Sequence, residues 1–221
     1  MKYIKYPRTY HLPYSPCVSS DDKRLSSDDH FYKMENVVVT IKMDGENTSI
    51  YNDGYIHSRS LEPANNPWQS KIRQLSWEFI FGLNTFPEGY RLCGENMQAV
   101  HSIEYTLKTY KDIFQCFAIY DNTNMCLNWN ATKIMCESLN VTMVPVIYIG
   151  KYDKQKILDA FNEYCKNVSP QEVEGFVVRN ADNFHYNDFK NNVGKYVRKN
   201  HIQTDSHWRY NWKNNIIENK K

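Results

Sequence analysis

A β-type run, Val37-Val38-Val39-Thr40-Ile41, leads directly into the tetrapeptide Lys42-Met43-Asp44-Gly45. Five successive β-branched residues predict a buried strand, so the chain presents a lysine at a strand end and then turns. Only a neutral amine is a nucleophile, and burial or nearby cations lower the pKa of a lysine. Gly45 allows a sharp turn or a close backbone approach. The alternative is a surface lysine beside an ordinary Asp-Gly hairpin turn.

The composition is that of a globular protein, with 41% hydrophobic and 24% charged residues. At 221 residues we expect one domain over 1–221, with an irregular segment at 1–30 and a basic tail at 200–221. The six cysteines include no Cys-x-x-Cys pair, which argues against a zinc site or a disulfide framework. A signal peptide and a long apolar run are both absent, so we expect a soluble, cytoplasmic protein.

The net charge of +2 does not by itself indicate a nucleic-acid-binding protein. The distribution of charge along the chain is more informative. Residues 195–221 contain seven Lys and Arg residues but only two acidic residues, Asp205 and Glu218. This stretch is either a solvated basic tail or a phosphate-binding face.

Strand patterns outnumber helical patterns and alternate with them only in part. Strands are predicted at 36–42, 48–59 with a turn at 52–54, 90–94, 113–120, 141–149, 173–179 and 193–198, and helices at 68–81, from Asn128 or Asn130 to Leu139, and from Asp153 to Cys165. This order favours an α+β fold over a doubly wound parallel sheet.

Five further short segments follow Lys42. They are His57-Ser-Arg-Ser60, Cys93-Gly-Glu-Asn96, Tyr120-Asp121, Glu174-Gly175 and Lys195-Tyr-Val-Arg198. Each resembles a motif of the covalent nucleotidyltransferase superfamily, the polynucleotide ligases and mRNA capping enzymes, and their order is the order in that superfamily. The resemblance covers about residues 36–200. The flanking Arg8-Thr-Tyr-His-Leu-Pro and Asn200-His-Ile-Gln-Thr-Asp make the chain most similar to the ATP-dependent RNA ligase family of phages and bacteria.

The resemblance implies a nucleotidyltransferase domain of ATP-grasp-like type, with mostly antiparallel sheets, flanking helices and a nucleotide groove between the sheets. It also implies a function, the ATP-dependent sealing of RNA 5′-phosphate and 3′-hydroxyl ends through lysyl-AMP and AMP-RNA intermediates. ATP and Mg²⁺ or Mn²⁺ would be the cofactors.

The same resemblance assigns roles to particular residues. Lys42 would attack the α-phosphorus of ATP, Lys195 would contact the α-phosphate, and Glu174 would work with the metal ion. The implied nucleotide-binding residues are Ile41, Lys42, Arg59, Glu95, Tyr120, Glu174 and Lys195.

Some of these roles have alternatives. Arg59 could contact a nick-strand phosphate instead of the nucleotide. Tyr120, assigned to stack on adenine, could equally be a core residue, with Phe117 as a competitor on the same strand. Asp44 would order the loop rather than transfer a proton.

The last motif departs from the family pattern, because Val197 stands where relatives carry a second lysine. Arg198 or Lys199 could replace that lysine from a shifted register, since a slip of one residue turns a side chain to the other face. Only 23 residues follow Arg198, too few for an OB or helical C-terminal domain. We therefore expect a separate domain or a partner protein to supply substrate grip.

Three other functions are compatible with these motifs. Two are enzymes, a DNA-nick ligase and a GTP-using, capping-like nucleotidyltransferase. The third is a non-catalytic module that binds RNA ends, against which the intact Lys42, Glu95, Glu174 and Lys195 argue.

Overall fold

The computed structural model describes residues 3–82, 86–168, 173–199, 201 and 211–218. These residues form two compact units. The Lys42 unit comprises residues 7–43, 144–168, 173–199 and 201, and the Glu95 unit comprises residues 3–6, 44–82, 86–143 and 211–218. Most of the predicted basic tail at 200–221 lies outside the described residues.

Short strands predominate over helices in both units, and each kind of element is numbered in chain order. The strands are β1 (Tyr10–His11), β2 (Val37–Lys42), β3 (Glu46–Tyr51), β4 (Ile56–His57), β5 (Arg91–Asn96), β6 (Thr106–Leu107), β7 (Phe114–Tyr120), β8 (Met125–Cys126), β9 (Val146–Gly150), β10 (Gly175–Asn180), β11 (Phe184–His185), β12 (Val193–Val197) and β13 (Ile216–Ile217). The helices are α1 (Asp29–Tyr32), α2 (Ser70–Phe81), α3 (Trp129–Ser138), α4 (Lys154–Lys166) and α5 (Phe189–Asn192), with short 3-10 turns at Pro67–Gln69, Tyr110–Ile113 and Tyr186–Asp188.

The predicted α+β class is confirmed, and the helix caps follow the sequence. Asn128 caps α3 by accepting from the Ala131 N–H, and Asp153 caps α4 by accepting from two backbone N–H groups. The strand predicted at 141–149 begins only at Val146, since Pro145 has no N–H to donate to a neighbouring strand. None of the described helices has the length and hydrophobicity of a membrane span.

The Lys42 unit is built on a sheet in the order β1-β12-β10-β2-β9. All its neighbours are antiparallel except β1 and β12, which run parallel. The sequence predicts an irregular segment at 1–30, and the structure differs there at β1, which pairs His11 with Lys195, and at Asp29, where α1 begins. The strand is only two residues long in a segment interrupted by Pro7 and Pro13.

An aromatic layer supports one face of this sheet. Phe176 of β10 and Tyr196 of β12 stack with ring centroids 4.6 Å apart, and Phe161 of α4 packs edge-on against Phe176 at 5.2 Å. Strand side chains alternate between faces, so the neighbouring residues Gly175 and Lys195 belong to the opposite face. The packing of α4 thus leaves that opposite face for polar groups.

The Glu95 unit contains an antiparallel sheet in which β8, β7, β5, β3 and β4 lie side by side. Helix α2 buries Ile72, Leu75 and Phe79. The Phe79 ring lies 6.0 Å from that of Phe114 on β7, so α2 packs against this sheet. A parallel pair of short strands, β6 and β13, completes the unit.

Gly175 occupies a position where no larger residue fits. A Cβ atom built there would overlap the carbonyl oxygen of Tyr196, which is a backbone atom. The close approach of β10 to β12 therefore requires glycine directly after Glu174.

We expect the substitution Gly175→Ala to lower the free energy of unfolding by about 3 kcal/mol or more, because backbone must move to admit the methyl group. Urea unfolding followed by circular dichroism measures the change. Gly54→Ala is the matched control, since Gly54 has a φ of 87° but nothing within 4 Å of the added Cβ. It should cost only about 1 kcal/mol. Equal losses in the two variants would contradict the steric explanation.

Candidate functional site

Lys42 and Glu174 form a close ion pair in the Lys42 unit. Lys42 is the last residue of β2 and pairs across the sheet with Gly175, which brings the preceding Glu174 alongside. The Lys42 Nζ lies 2.6 Å from the Glu174 Oε2. The side chains are 25% and 10% exposed, so the amine is held in place and still reachable from solvent. This geometry fits a reactive amine better than a solubilising surface lysine.

Lys195 of β12 lies on the same face of the sheet. Its cross-strand partner on β10 is Val177, two residues from Gly175, and residues two apart share a face. Burial lowers the pKa of Lys195 below the ordinary lysine value, and the Lys42 charge lowers it further. The hydrogen bond and charge of Asp22 and the charge of Glu174 act in the opposite direction.

The pairing pattern also shows where the residues of the last motif lie. Val197 pairs with Gly175, which in turn pairs with Lys42, so all three stand in one row on one face. The position where relatives carry a second lysine therefore faces the Lys42 side, and here it holds a buried valine. Arg198 instead donates from its Nε to the carbonyl of Val173. In this structure Arg198 does not take the place of the missing lysine.

Two polar residues near these lysines were not identified from the sequence. Asp22 accepts a hydrogen bond from the Lys195 Nζ at 2.9 Å, and the His201 Nε2 lies 4.0 Å from the Glu174 Oε1. Asp22 belongs to a polar stretch that resembles ordinary loop sequence, and 173 positions separate it from Lys195. The only available signal for His201 was its place in a flanking segment that resembles RNA ligases.

In the Glu95 unit, the carboxylates of Asp44 and Glu95 both accept hydrogen bonds from backbone N–H groups. The Glu95 Oε1 accepts from the Gly45 N–H at 3.2 Å. The Asp44 Oδ2 accepts from the Ser102 N–H at 2.8 Å, the Ser102 hydroxyl at 2.6 Å and the Ile103 N–H at 2.9 Å. An acceptor shared by three donors is a structural anchor, as expected for a residue that orders the loop after Lys42.

The remaining nucleotide-binding residues predicted from the sequence lie in different environments. Arg59 is exposed in the turn after β4, and Ile41 is a buried residue of β2. Tyr120 is fully buried, with the Arg91 guanidinium 4.3 Å from its ring centroid.

Tyr120, on β7, lies beside the first residue of β5, whereas Glu95 is near the other end of β5. Tyr120 pairs with Arg91, whereas Glu95 pairs with Gln115, so four residues of strand, about 13 Å, separate the two positions. Phe117, the alternative to Tyr120 for stacking on adenine, is half-buried.

Comparisons with known proteins agree with the family that the motifs predict. The RNA ligase family profile matches residues 35–197, well over half of the chain. No curated protein sequence is significantly similar to the chain. Solved structures with the same fold include an archaeal ATP-dependent RNA ligase, at a TM-score of 0.56 and 18% identity, covering 87% of this chain and 48% of that one.

A Naegleria gruberi RNA ligase point mutant with ATP and Mn has a TM-score of 0.51 and 19% identity, covering 83% of this chain and 56% of that one. The chain thus spans about half the length of these ligases. At these identities the structural likeness establishes only that the chain shares the fold of these ligases. The match to the family profile goes further: the chain belongs to the RNA ligase family.

We expect Asp44→Ala to lower the free energy of unfolding by about 2 kcal/mol, because three donors lose a charged acceptor. Thermal and urea unfolding measure the loss. Asp182→Ala is the control, since Asp182 is exposed and its substitution should change stability by less than about 0.5 kcal/mol. An Asp44→Ala protein as stable as the control would show that these hydrogen bonds do not anchor the loop.

Proposed function

We propose that this chain is an ATP-dependent RNA ligase that works through a lysyl-AMP intermediate. The observation that carries the proposal is the Lys42–Glu174 pair, 2.6 Å apart, with Lys195 on the same face of the sheet. Membership of the RNA ligase family supports the choice of RNA ends as substrate. The neighbouring structure that holds ATP supports the choice of nucleotide.

In the first step the Lys42 Nζ attacks the α-phosphorus of ATP. A nitrogen–phosphorus bond forms, the bond from the α-phosphorus to the oxygen bridging to the β-phosphorus breaks, and pyrophosphate leaves. The lysine ammonium must lose a proton before it attacks. Glu174 Oε2 is within hydrogen-bond distance of this amine and is placed to accept that proton.

Lys195 would supply positive charge at the α-phosphate, where negative charge develops on the phosphate oxygens during the attack. Its position on the strand next to β10 places it on the Lys42 face. Arg59 and Glu95 are the proposed nucleotide ligands of the Glu95 unit, the arginine through phosphate or ribose and the glutamate through a ribose hydroxyl. Ile41 completes the proposed set, whereas the full burial of Tyr120 beside Arg91 favours the alternative core role for that ring over stacking on adenine.

A divalent cation fits the Glu174 carboxylate. Of its two oxygens, Oε2 faces Lys42, while Oε1 lies on the side of His201. Carboxylate oxygens suit both Mg²⁺ and Mn²⁺. A bound ion would neutralise charge on the transferring phosphate and on pyrophosphate.

The two later steps act on RNA. AMP passes from Lys42 to the RNA 5′-phosphate, breaking the nitrogen–phosphorus bond and forming a phosphoanhydride. A 3′-hydroxyl then attacks the 5′-phosphate, and AMP leaves as the phosphodiester forms. We propose that a separate domain or partner protein assists RNA binding.

We expect incubation with α-labelled ATP and Mg²⁺ or Mn²⁺ to leave label on the protein, and Lys42→Ala or Lys42→Arg to abolish it. Gel electrophoresis after denaturation measures the label, and mass spectrometry locates AMP. Lys151→Ala, which removes an exposed lysine of the Lys42 unit, should label like the wild type. Label retained in both Lys42 variants would overturn the assignment of the nucleophile.

We further expect ATP to label the protein more efficiently than GTP, and RNA-containing nicks or ends to be sealed faster than matched DNA substrates. Quantified label and ligated product measure the two preferences. A preference for GTP would indicate a capping-like enzyme, and equal sealing of all-DNA nicks would indicate a DNA ligase. Tight RNA binding without any lysyl-nucleotide would indicate a binding module.

A further inference from the structure

The segment from β1 to Asp22 contacts both the backbone and the amine of Lys195. The Leu12 N–H donates to the carbonyl of Lys195 at 2.7 Å, and His11 pairs with Lys195 in the parallel register. The Lys195 side chain is 15% exposed, and its Nζ donates to the Asp22 Oδ1 at 2.9 Å. A segment distant in sequence therefore provides the counter-charge of the lysine proposed to contact phosphate.

Asp22 is itself held by a continuous chain of hydrogen bonds. The Val197 N–H donates to the Ser15 Oγ at 3.0 Å, and that oxygen lies 2.8 Å from the His11 Nδ1. The His11 Nε2 lies 3.1 Å from the Asp22 Oδ2. This series of hydrogen bonds begins at the Val197 N–H and ends at Lys195, so both of its ends lie on β12.

The partners determine how these groups share their protons. An ionised carboxylate only accepts, so the His11 Nε2 must donate to Asp22, and the Nδ1 of the neutral ring then accepts from the Ser15 hydroxyl. Burial and the Lys195 charge lower the pKa of His11, and this favours the neutral ring. With this assignment, each donor in the series of hydrogen bonds meets an acceptor.

The electrostatics keep opposite charges on Asp22 and Lys195. Burial alone would raise the pKa of Asp22, but hydrogen bonds from Lys195, His11 and Ser19 and the Lys195 charge outweigh it and hold the pKa well below the usual range. Burial lowers the pKa of Lys195, and Asp22 opposes this effect. Asp22 therefore favours the charged form of an amine whose charged form is disfavoured by burial.

We propose that Asp22, oriented by His11 and Ser15, is a positioning residue that aims the Lys195 amine and keeps it charged for the α-phosphate. This inference rests on the proposed function, because the phosphate contact of Lys195 belongs to that proposal. Asp22 acts through Lys195 and not on the nucleotide itself. The segment from β1 to Asp22 is then part of the catalytic apparatus as well as an edge of the sheet.

A double-mutant cycle tests whether Asp22 acts through Lys195. We expect Asp22→Asn to slow lysyl-AMP formation at saturating ATP at least about tenfold, because a charged hydrogen-bond acceptor is lost. In a Lys195→Ala background the same change should alter the rate less than about twofold. Asp182→Asn is the control, because Asp182 is an exposed carboxylate of the Lys42 unit that takes no part in these hydrogen bonds, and it should leave the rate unchanged.

The outcomes separate positioning from folding. The fraction of protein finally labelled reports folded enzyme, and it should stay near the wild-type value while the rate constant falls. Equal slowing in the two backgrounds, or a wild-type rate in Asp22→Asn, would overturn the inference and leave the proposed function intact. A loss of final label with an unchanged rate constant would show that Asp22 only stabilises the fold, and this too would overturn it.

A second measurement does not depend on ATP. Limited acetylation followed by mass spectrometry reports the reactivity of each amine, and only the neutral amine reacts. We expect Lys195 to react several-fold faster in Asp22→Asn than in Asp182→Asn, with Lys151 unchanged as the exposed reference. Equal Lys195 reactivity would overturn the inference. Absence of any label in the wild type would overturn the proposed function alone, because acetylation still tests the Asp22–Lys195 pair.

Discussion

The pairing register of β2 with β10 is the constraint on which the proposed catalytic cluster depends. It places Lys42 opposite Gly175 and so brings the Glu174 carboxylate 2.6 Å from the amine. Because strand side chains alternate, a slip of one residue would turn Lys42 toward the face lined by Phe176. Gly175 allows the tight approach of β12 that completes this arrangement, since even a methyl group would overlap the backbone of Tyr196.

The Lys42 unit can hold several charges close together because opposite charges are paired. Lys42 and Lys195 are matched by Glu174 and Asp22, so each partly buried cation has a carboxylate within hydrogen-bond distance. Without such pairing, removing these charges from water would destabilise the folded state. The aromatic layer on the other face makes the sheet a rigid platform, which is what positioned reactive groups require.

Much of the fold could be predicted because its signals are local. Asn128 and Asp153 begin their helices through side-chain caps that are recognisable in the sequence, and β2 is indicated by five β-branched residues. Prediction failed where a short element depends on its partner: β1 is two residues long and becomes a strand only by pairing with β12. Such pairing has no periodicity to detect in the segment itself.

The motifs from Lys42 to Lys195, taken in order, were enough to identify the family and to select Lys42, Glu174 and Lys195, since the chemistry of each motif resides in its residue types. Only the tertiary structure showed that Val197 shares a row with Lys42 and that Tyr120 is buried beside Arg91. Likewise, only the tertiary structure showed that Asp22 contacts Lys195, which lies 173 positions away in the sequence. The reason is physical: residue type determines what a group can do, but strand register and chain topology determine which groups meet.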